Sequence, residues 1–139
     1  MNTETVRHKI LVPADASKLC ELRESLSQLC DQYEVSPKVT RRMVLAIDEA
    51  LANIIEHAQL KEGAEEIELC LEVMEDRIVA EIADRGIPFD PSPRFTEPNP
   101  RLYPRRGFGL YLIHMIADSI TYERTPEGRN ILTLTMMLT

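Results

Sequence analysis

A chain of 139 residues has room for one domain around a single core and not for two substantial ones. Its 16 Lys and Arg against 23 Asp and Glu leave a formal charge of -7, which argues against a duplex-DNA binder that works by neutralising phosphates. With 44% apolar residues, 28% charged residues and only 5 glycines, the makeup is globular, neither disordered nor collagen-like.

Val6, His8, Ile10 and Val12 alternate with Arg7, Lys9 and Leu11, the period of a half-buried first strand. Asp15 is placed to cap a helix whose Leu19, Leu22, Leu26, Leu29 and Tyr33 share one face, and which is expected to end near Val35. Ser36-Pro37 restarts a helix, because serine caps free N–H groups and proline at the first position wastes no donor. This second helix is predicted to run to about His57, with Met43, Ile47, Ala50, Leu51 and Ile54 as its core stripe and Arg41 and Asp48 away from it. It leads into a turn at Gly63.

Alternation of Ile67, Leu69, Leu71 and Val73, then Ile78, Ala80 and Ile82 around Glu75-Asp76, predicts a hairpin. Six of the nine prolines (88, 91, 93, 98, 100 and 104) fall in the next segment, where no regular helix or central strand can continue. Helical spacing returns in Leu110, Ile113, Ile116 and Ala117. A strand over residues 120–124, a turn at Pro126-Glu127-Gly128 and a strand over 131–138 close the chain. The sum is an α+β sandwich, one helical layer on one sheet, and not a doubly wound parallel sheet.

No apolar stretch approaches the roughly 18 residues of a membrane helix, and the first ten residues are too polar for a signal-peptide core, so a cytosolic protein is expected. Cys20, Cys30 and Cys70 contain no C-x-x-C pair and read as small buried hydrophobes in a reducing compartment.

Three stretches could carry chemistry. Glu49, Asn53 and His57 are spaced by four, and each such step turns only about 40° around the axis, making a polar row beside the apolar stripe. Glutamate offers a base, and asparagine a neutral oxygen suited to Mg²⁺ that already carries phosphate and water. Taken alone, the same spacing is also what a solvated helix edge shows.

At Asp84-Arg85-Gly86-Ile87-Pro88-Phe89-Asp90-Pro91 an acid and a glycine end a strand. The carboxylate can accept from an exocyclic amine while the glycine admits a planar base, which suits adenine and not guanine. Read alone, this is a plain strand-to-loop turn. Arg106-Gly107-Phe108-Gly109-Leu110 opens a helix, where exposed N–H groups suit a phosphate. Before it, residues 91–106 hold Arg94, Arg101, Arg105 and Arg106 against Glu97, a local +3 in a chain of net -7.

The order E-x-x-x-N on a helix, D-x-G-x-x-F-D-P after a hairpin, then G-x-G-L resembles the N, G1 and G2 boxes of the GHKL ATPases, the fold of gyrase, MutL and histidine kinases. More narrowly, Glu49-Ala50-Leu51-Ala52-Asn53 with His57-Ala58, and Phe89-Asp90-Pro91, look like the small bacterial anti-sigma factors with serine-protein kinase activity, the RsbW and SpoIIAB group.

This resemblance spans nearly the whole chain. It implies one histidine-kinase-like ATPase domain over residues 1–139, the Bergerat fold: a two-layer α/β sandwich whose mostly antiparallel mixed sheet is covered on one face by helices. It implies ATP and Mg²⁺ as cofactors, with Asn53 on Mg²⁺, Glu49 as base toward a substrate hydroxyl, Asp84 on adenine and Gly86 shaping the adenine pocket. Gly107 and Gly109 would line the triphosphate under a lid of residues 91–106, with His57, Phe89, Phe108 and Leu110 in the same nucleotide site. Where relatives often have a small residue before the glycine pair, this chain has Arg105-Arg106, and arginine can hold a phosphate oxygen directly.

The implied function is a protein serine/threonine kinase and anti-sigma factor that phosphorylates a STAS-domain anti-anti-sigma protein and sequesters a sigma factor, commonly as a homodimer, with no direct contact to nucleic acid or membrane. Two other roles stay open: a non-catalytic ATP-binding regulator that sequesters a partner, and a switch kinase acting on a STAS scaffold protein. A sensor histidine kinase fragment would need a dimerising helix with a phospho-acceptor histidine, whereas His8 sits in a predicted strand.

Overall fold

The computed structural model describes residues 5–57, 66–88 and 113–138. The element order is β1 (Val6–Pro13), α1 (Leu19–Gln32), α2 (Pro37–His57), β2 (Glu66–Val73), β3 (Arg77–Asp84), β4 (Ser119–Arg124) and β5 (Asn130–Met137), with a 3-10 turn at Ala16–Lys18 ahead of α1. The strands form one sheet in the order β1-β2-β3-β5-β4. Every described strand pair is antiparallel, so the parallel pairing that a mixed sheet requires is not found among them.

Alternation decides the two faces of this sheet. Across it, Ile10, Leu69, Ile82, Leu132 and Tyr122 stand in one row of partners, and His8, Leu71, Ala80, Leu134 and Ile120 in the next. The buried strand residues join Leu19, Leu22, Leu26, Met43, Ile47, Leu51 and Ile54 of the helices in one core. The opposite parity carries charge, with Arg7 paired to Glu72 at 2.6 Å and Lys9 to Glu68 at 3.4 Å. Such exposed pairs contribute little to stability.

The caps follow the sequence closely. Asp15 Oδ1 accepts from the Ser17 N–H at 3.0 Å and from the Ser17 hydroxyl at 2.8 Å, which closes the 3-10 turn that feeds α1. Ser36 Oγ accepts from the Val39 N–H at 3.3 Å, and α2 is helical from Pro37 through His57, the last described residue of this segment. α1 stops at Gln32, short of Val35. Glu34 turns left-handed with φ 59 while the Val35 N–H bonds back to the Cys30 carbonyl at 3.0 Å, a C-terminal cap that more often carries glycine.

The three cysteines divide. Cys30 is fully buried, whereas Cys20 is exposed on α1 and Cys70 half-buried, because 70 has the charged parity of Glu68 and Glu72 on β2. Expecting all three inside was therefore wrong for two of them. His8 lies in β1, as its alternation predicts, and its Nε2 meets the Tyr33 hydroxyl at 2.9 Å. Among the described residues no helix is long and apolar enough to cross a membrane. The exposed large apolar side chains described, Leu11, Leu45, Ile87, Met115 and Met137, come from different elements and not from one helix face.

Candidate functional site

One row of the sheet breaks the apolar pattern. Asp84 ends β3 with the parity of Ile78, Ala80 and Ile82, and its partner in register is Asn130, the first residue of β5, which faces Arg124 at the end of β4. Asp84 is 6% exposed and Asn130 1%. A buried carboxylate and amide are tolerated only when hydrogen-bonded, and both are.

Asp84 Oδ1 accepts from the Gly86 N–H at 2.8 Å and from Asn130 Nδ2 at 2.9 Å. Asn130 Nδ2 also donates to the Gly86 carbonyl at 2.9 Å. Asn130 Oδ1 in turn accepts from an Arg124 guanidinium N–H at 2.6 Å, and the same nitrogen reaches the Gly86 carbonyl at 3.3 Å. Both bonds that reach the Asp84 carboxylate engage the same oxygen, Oδ1. Oδ2 of Asp84 takes none from the described residues, so an acceptor stands beside a glycine at the end of the sheet, as needed to hold an exocyclic amine.

The second part lies on α2, which packs on β3. Glu49 and Asn53 are one helical turn apart, beside the buried Ala50, Leu51 and Ile54. Burial pushes the Glu49 carboxyl up, and the neighbouring Asp48 charge adds to the rise. Asp48 is itself pushed up by burial, an effect that Arg23 of α1 partly offsets from 3.6 Å. The two carboxyls thus make Glu49 a stronger proton acceptor than an ordinary exposed glutamate.

Asn53 is only 8% exposed, and its Nδ2 has no hydrogen-bond partner among the described residues. Leaving such a donor unpaired costs about 1–3 kcal/mol, so this amide has hydrogen-bonding capacity to offer a ligand. Its amide combines an oxygen suited to Mg²⁺ with a donor suited to a phosphate oxygen, so the residue present fits a nucleotide-borne metal ion. His57 is half-buried in the last turn of α2, with Nε2 3.7 Å from Glu56 Oε2.

The structure therefore brings Asp84 and Gly86 together in one network, and Glu49 and Asn53 together on one helix. Phe89, Arg105, Arg106, Gly107, Phe108, Gly109 and Leu110, together with the expected lid over residues 91–106 and the Gly63 turn, lie outside the described residues. Reading the sequence missed Asn130 and Arg124. The available signal was parity: Asn130 precedes Leu132, Leu134 and Met136 on the buried side of the strand, and a polar residue at a core position needs a reason.

The single antiparallel sheet with its helices is an α+β sandwich, and comparison with known proteins identifies its family. Residues 12–136 match the model of the histidine kinase-like ATPase domain, and the chain belongs to that family. It is 31% identical over 128 residues to the serine-protein kinase RsbW of Bacillus cereus, covering 87% of this chain and 79% of that protein. The RsbW of Bacillus mycoides is 30% identical over the same length and the same shares of each chain.

Among solved structures, the RsbU and RsbW domains of a Mycobacterium tuberculosis protein superpose with a TM-score of 0.70 at 17% identity, over 96% of this chain and 32% of that one. The SiaB–SiaC complex of Pseudomonas aeruginosa gives 0.60 at 14% identity, over 94% of this chain and 89% of that one. At such identities these two structures establish the fold.

Proposed function

We propose that this chain is a cytosolic partner-switching kinase: it binds ATP with Mg²⁺, phosphorylates a serine of a STAS-domain anti-anti-sigma protein, and holds a sigma factor when that protein is already phosphorylated. Adenine is recognised by Asp84 Oδ2 and admitted by Gly86. Asn53 holds the Mg²⁺ that accompanies the phosphates, which supplies charge neutralisation at the transferring group. Gly107 and Gly109 line the triphosphate, joined by His57, Phe89, Phe108, Leu110 and the Arg105-Arg106 pair, and residues 91–106 form the lid.

In the transfer, Glu49 accepts the serine proton as the serine oxygen forms its bond to the γ-phosphorus and the bond to the bridging oxygen of ADP breaks. A raised Glu49 carboxyl matches this role, since a base works best with its pKa closer to ambient pH. Little else is asked of the protein beyond positioning and offsetting charge.

The observation that supports the reading is the row of Glu49, with its raised carboxyl, and Asn53, with its unpaired buried amide, on the helix that packs against the strand ending in Asp84. The 31% identity to a named serine-protein kinase supports the reaction class. That SiaB, a chain of the same fold, was solved in complex with SiaC supports a protein partner. A homodimer is expected by the same family reasoning.

The test is phosphate transfer from labelled ATP with Mg²⁺ to candidate STAS-domain proteins. Glu49→Ala is expected to keep ATP affinity within about threefold and to lose about 10²–10⁴-fold in transfer, the range for removing a general base. Transfer at the wild-type rate would remove Glu49 from the chemistry. ATP-dependent partner capture without any transfer in the wild type would leave a binding-only regulator.

A further inference from the structure

The adenine end of the sheet contains a group that the reading above leaves unused. We propose that Arg124 is a positioning residue for nucleobase selection: by holding Asn130 it fixes the Asp84 carboxylate with one oxygen committed and the other presented to an exocyclic amine. This inference rests on the ATP reading of the site and deepens it.

The geometry is a closed ring of hydrogen bonds in which each atom has one possible role. Guanidinium N–H groups only donate; the Asp84 carboxylate and the Gly86 carbonyl only accept. Between them, the Asn130 amide must turn Oδ1 to Arg124, at 2.6 Å, and Nδ2 to Asp84 Oδ1 and the Gly86 carbonyl, each at 2.9 Å. A flipped amide would set its oxygen against two acceptors and its NH₂ against a donor. Asn130 thus spends both donors inside the network and turns its oxygen to Arg124, so it has no N–H left to offer a base directly. Its effect on a ligand runs through Asp84.

Arg124 contributes more than one of these bonds. Its nitrogen touches both Asn130 Oδ1 and the Gly86 carbonyl, tying the β4–β5 hairpin to the segment that follows β3. Gly128, in the turn of that hairpin, has φ 84, and an ideal Cβ built on it would lie 3.5 Å from the guanidinium. Without Arg124, Asn130 Oδ1 at a 1%-exposed position loses its donor, and the amide gains a reason to leave the plane that holds Asp84. The carboxylate could then rotate and share its oxygens between Gly86 and water. Arg124 itself is largely exposed, so its removal leaves the core intact.

The nucleotide pair ATP and ITP isolates this effect, because inosine carries a carbonyl where adenine carries the amine. Titration calorimetry of each, with Mg²⁺, into the full chain gives the selectivity ratio. The wild type is expected to prefer ATP. Arg124→Ala is expected to weaken ATP about tenfold, the scale of one well-placed hydrogen bond, while ITP changes less than threefold. Arg124→Lys, which keeps one donor and loses the fork, should recover part of the ratio. In an Asn130→Ala background, Arg124→Ala should change the ratio no further.

A purely structural arginine would lower both nucleotides together or shift only the thermal midpoint. Equal losses, or an unchanged ratio in a wild type that does bind ATP, overturn the role of Arg124 and leave the ATP site standing. A wild type that binds neither nucleotide overturns the site itself, and the inference with it.

Discussion

The two halves of the proposed nucleotide site are built on opposite terms. At the sheet end, Asp84, Gly86, Asn130 and Arg124 satisfy one another through five hydrogen bonds before any ligand is present. On α2, Asn53 keeps a buried donor without a partner among the described residues, and burial holds the Glu49 carboxyl up. The first half is held in place by its own hydrogen bonds and, on the proposed function, would recognise a base without rearrangement. The second carries a folding cost that, on the proposed function, a metal-bound triphosphate would relieve.

If that contrast is real, removing a group should have opposite consequences for stability and function at the two ends. The largest effect is expected for Asn53→Ala. It should abolish Mg²⁺-dependent ATP binding, at least a hundredfold, while the ligand-free protein melts no earlier than wild type because an unpaired buried amide has gone. Thermal melting with and without nucleotide reads both. A loss of ligand-free stability greater than about 1 kcal/mol would mean that Asn53 is satisfied after all.

Asp84→Asn comes next. It should weaken ATP about ten- to a hundredfold in calorimetry, because a charged acceptor becomes an amide that competes for the same donors. Folding should be disturbed less than binding, and unchanged ATP affinity would remove Asp84 from the site.

A smaller effect is expected in the pH profile. With its carboxyl raised, Glu49 stays protonated, and so unable to accept a proton, at pH values where an ordinary glutamate is already ionised. The acid limb of the transfer rate should therefore lie above the ordinary glutamate range. Asp48→Asn removes the neighbouring negative charge that raises it, and the limb should move to lower pH. Because burial is the larger cause, the shift should be partial; an unmoved limb would assign it to another group.

The smallest effect sharpens the comparison from a third place, the end of α1. Glu34→Gly relieves a left-handed residue and should stabilise the fold by about 1 kcal/mol, read as a raised denaturation midpoint, with ATP affinity unchanged. A gain at a strained position with no change in binding separates ordinary strain from the kind located on α2.

Much of this organisation is legible in the sequence because it is local. The Ser36-Pro37 restart, the 3–4 spacing of Met43 to Ile54 and the alternation on either side of Glu75-Asp76 each settle within a few residues, and the observed elements follow them. Asp84 and Gly86 are legible for the same reason, as an acid and a glycine ending an alternating strand. Asn130 and Arg124 are not, because their meaning lies in the register of β3 with β5 and of β5 with β4, and the pairing of Asp84 with Asn130 spans 46 residues.

The early stop of α1 is illegible because Glu34 adopts a conformation that sequence preference assigns to glycine. Asn53 sits between these cases. Its spacing from Glu49 marks a polar row at the rim of the core, but only packing shows that this rim is closed over and its amide left unpaired. The exposed Cys20 and half-buried Cys70 show the reverse: composition gives a residue's usual place, and parity on its own element gives the actual one.

The central claim is that the α2 row and the Asp84 network face one magnesium-bound ATP. A crystal structure of the protein with Mg²⁺ and a non-hydrolysable ATP analogue tests it most directly. The account predicts the adenine amine within hydrogen-bond distance of Asp84 Oδ2, the metal on Asn53 Oδ1 and the γ-phosphate on the Glu49 side. A nucleotide bound elsewhere, or one whose base leaves Asp84 untouched while its phosphates leave Asn53 unpaired, would contradict it.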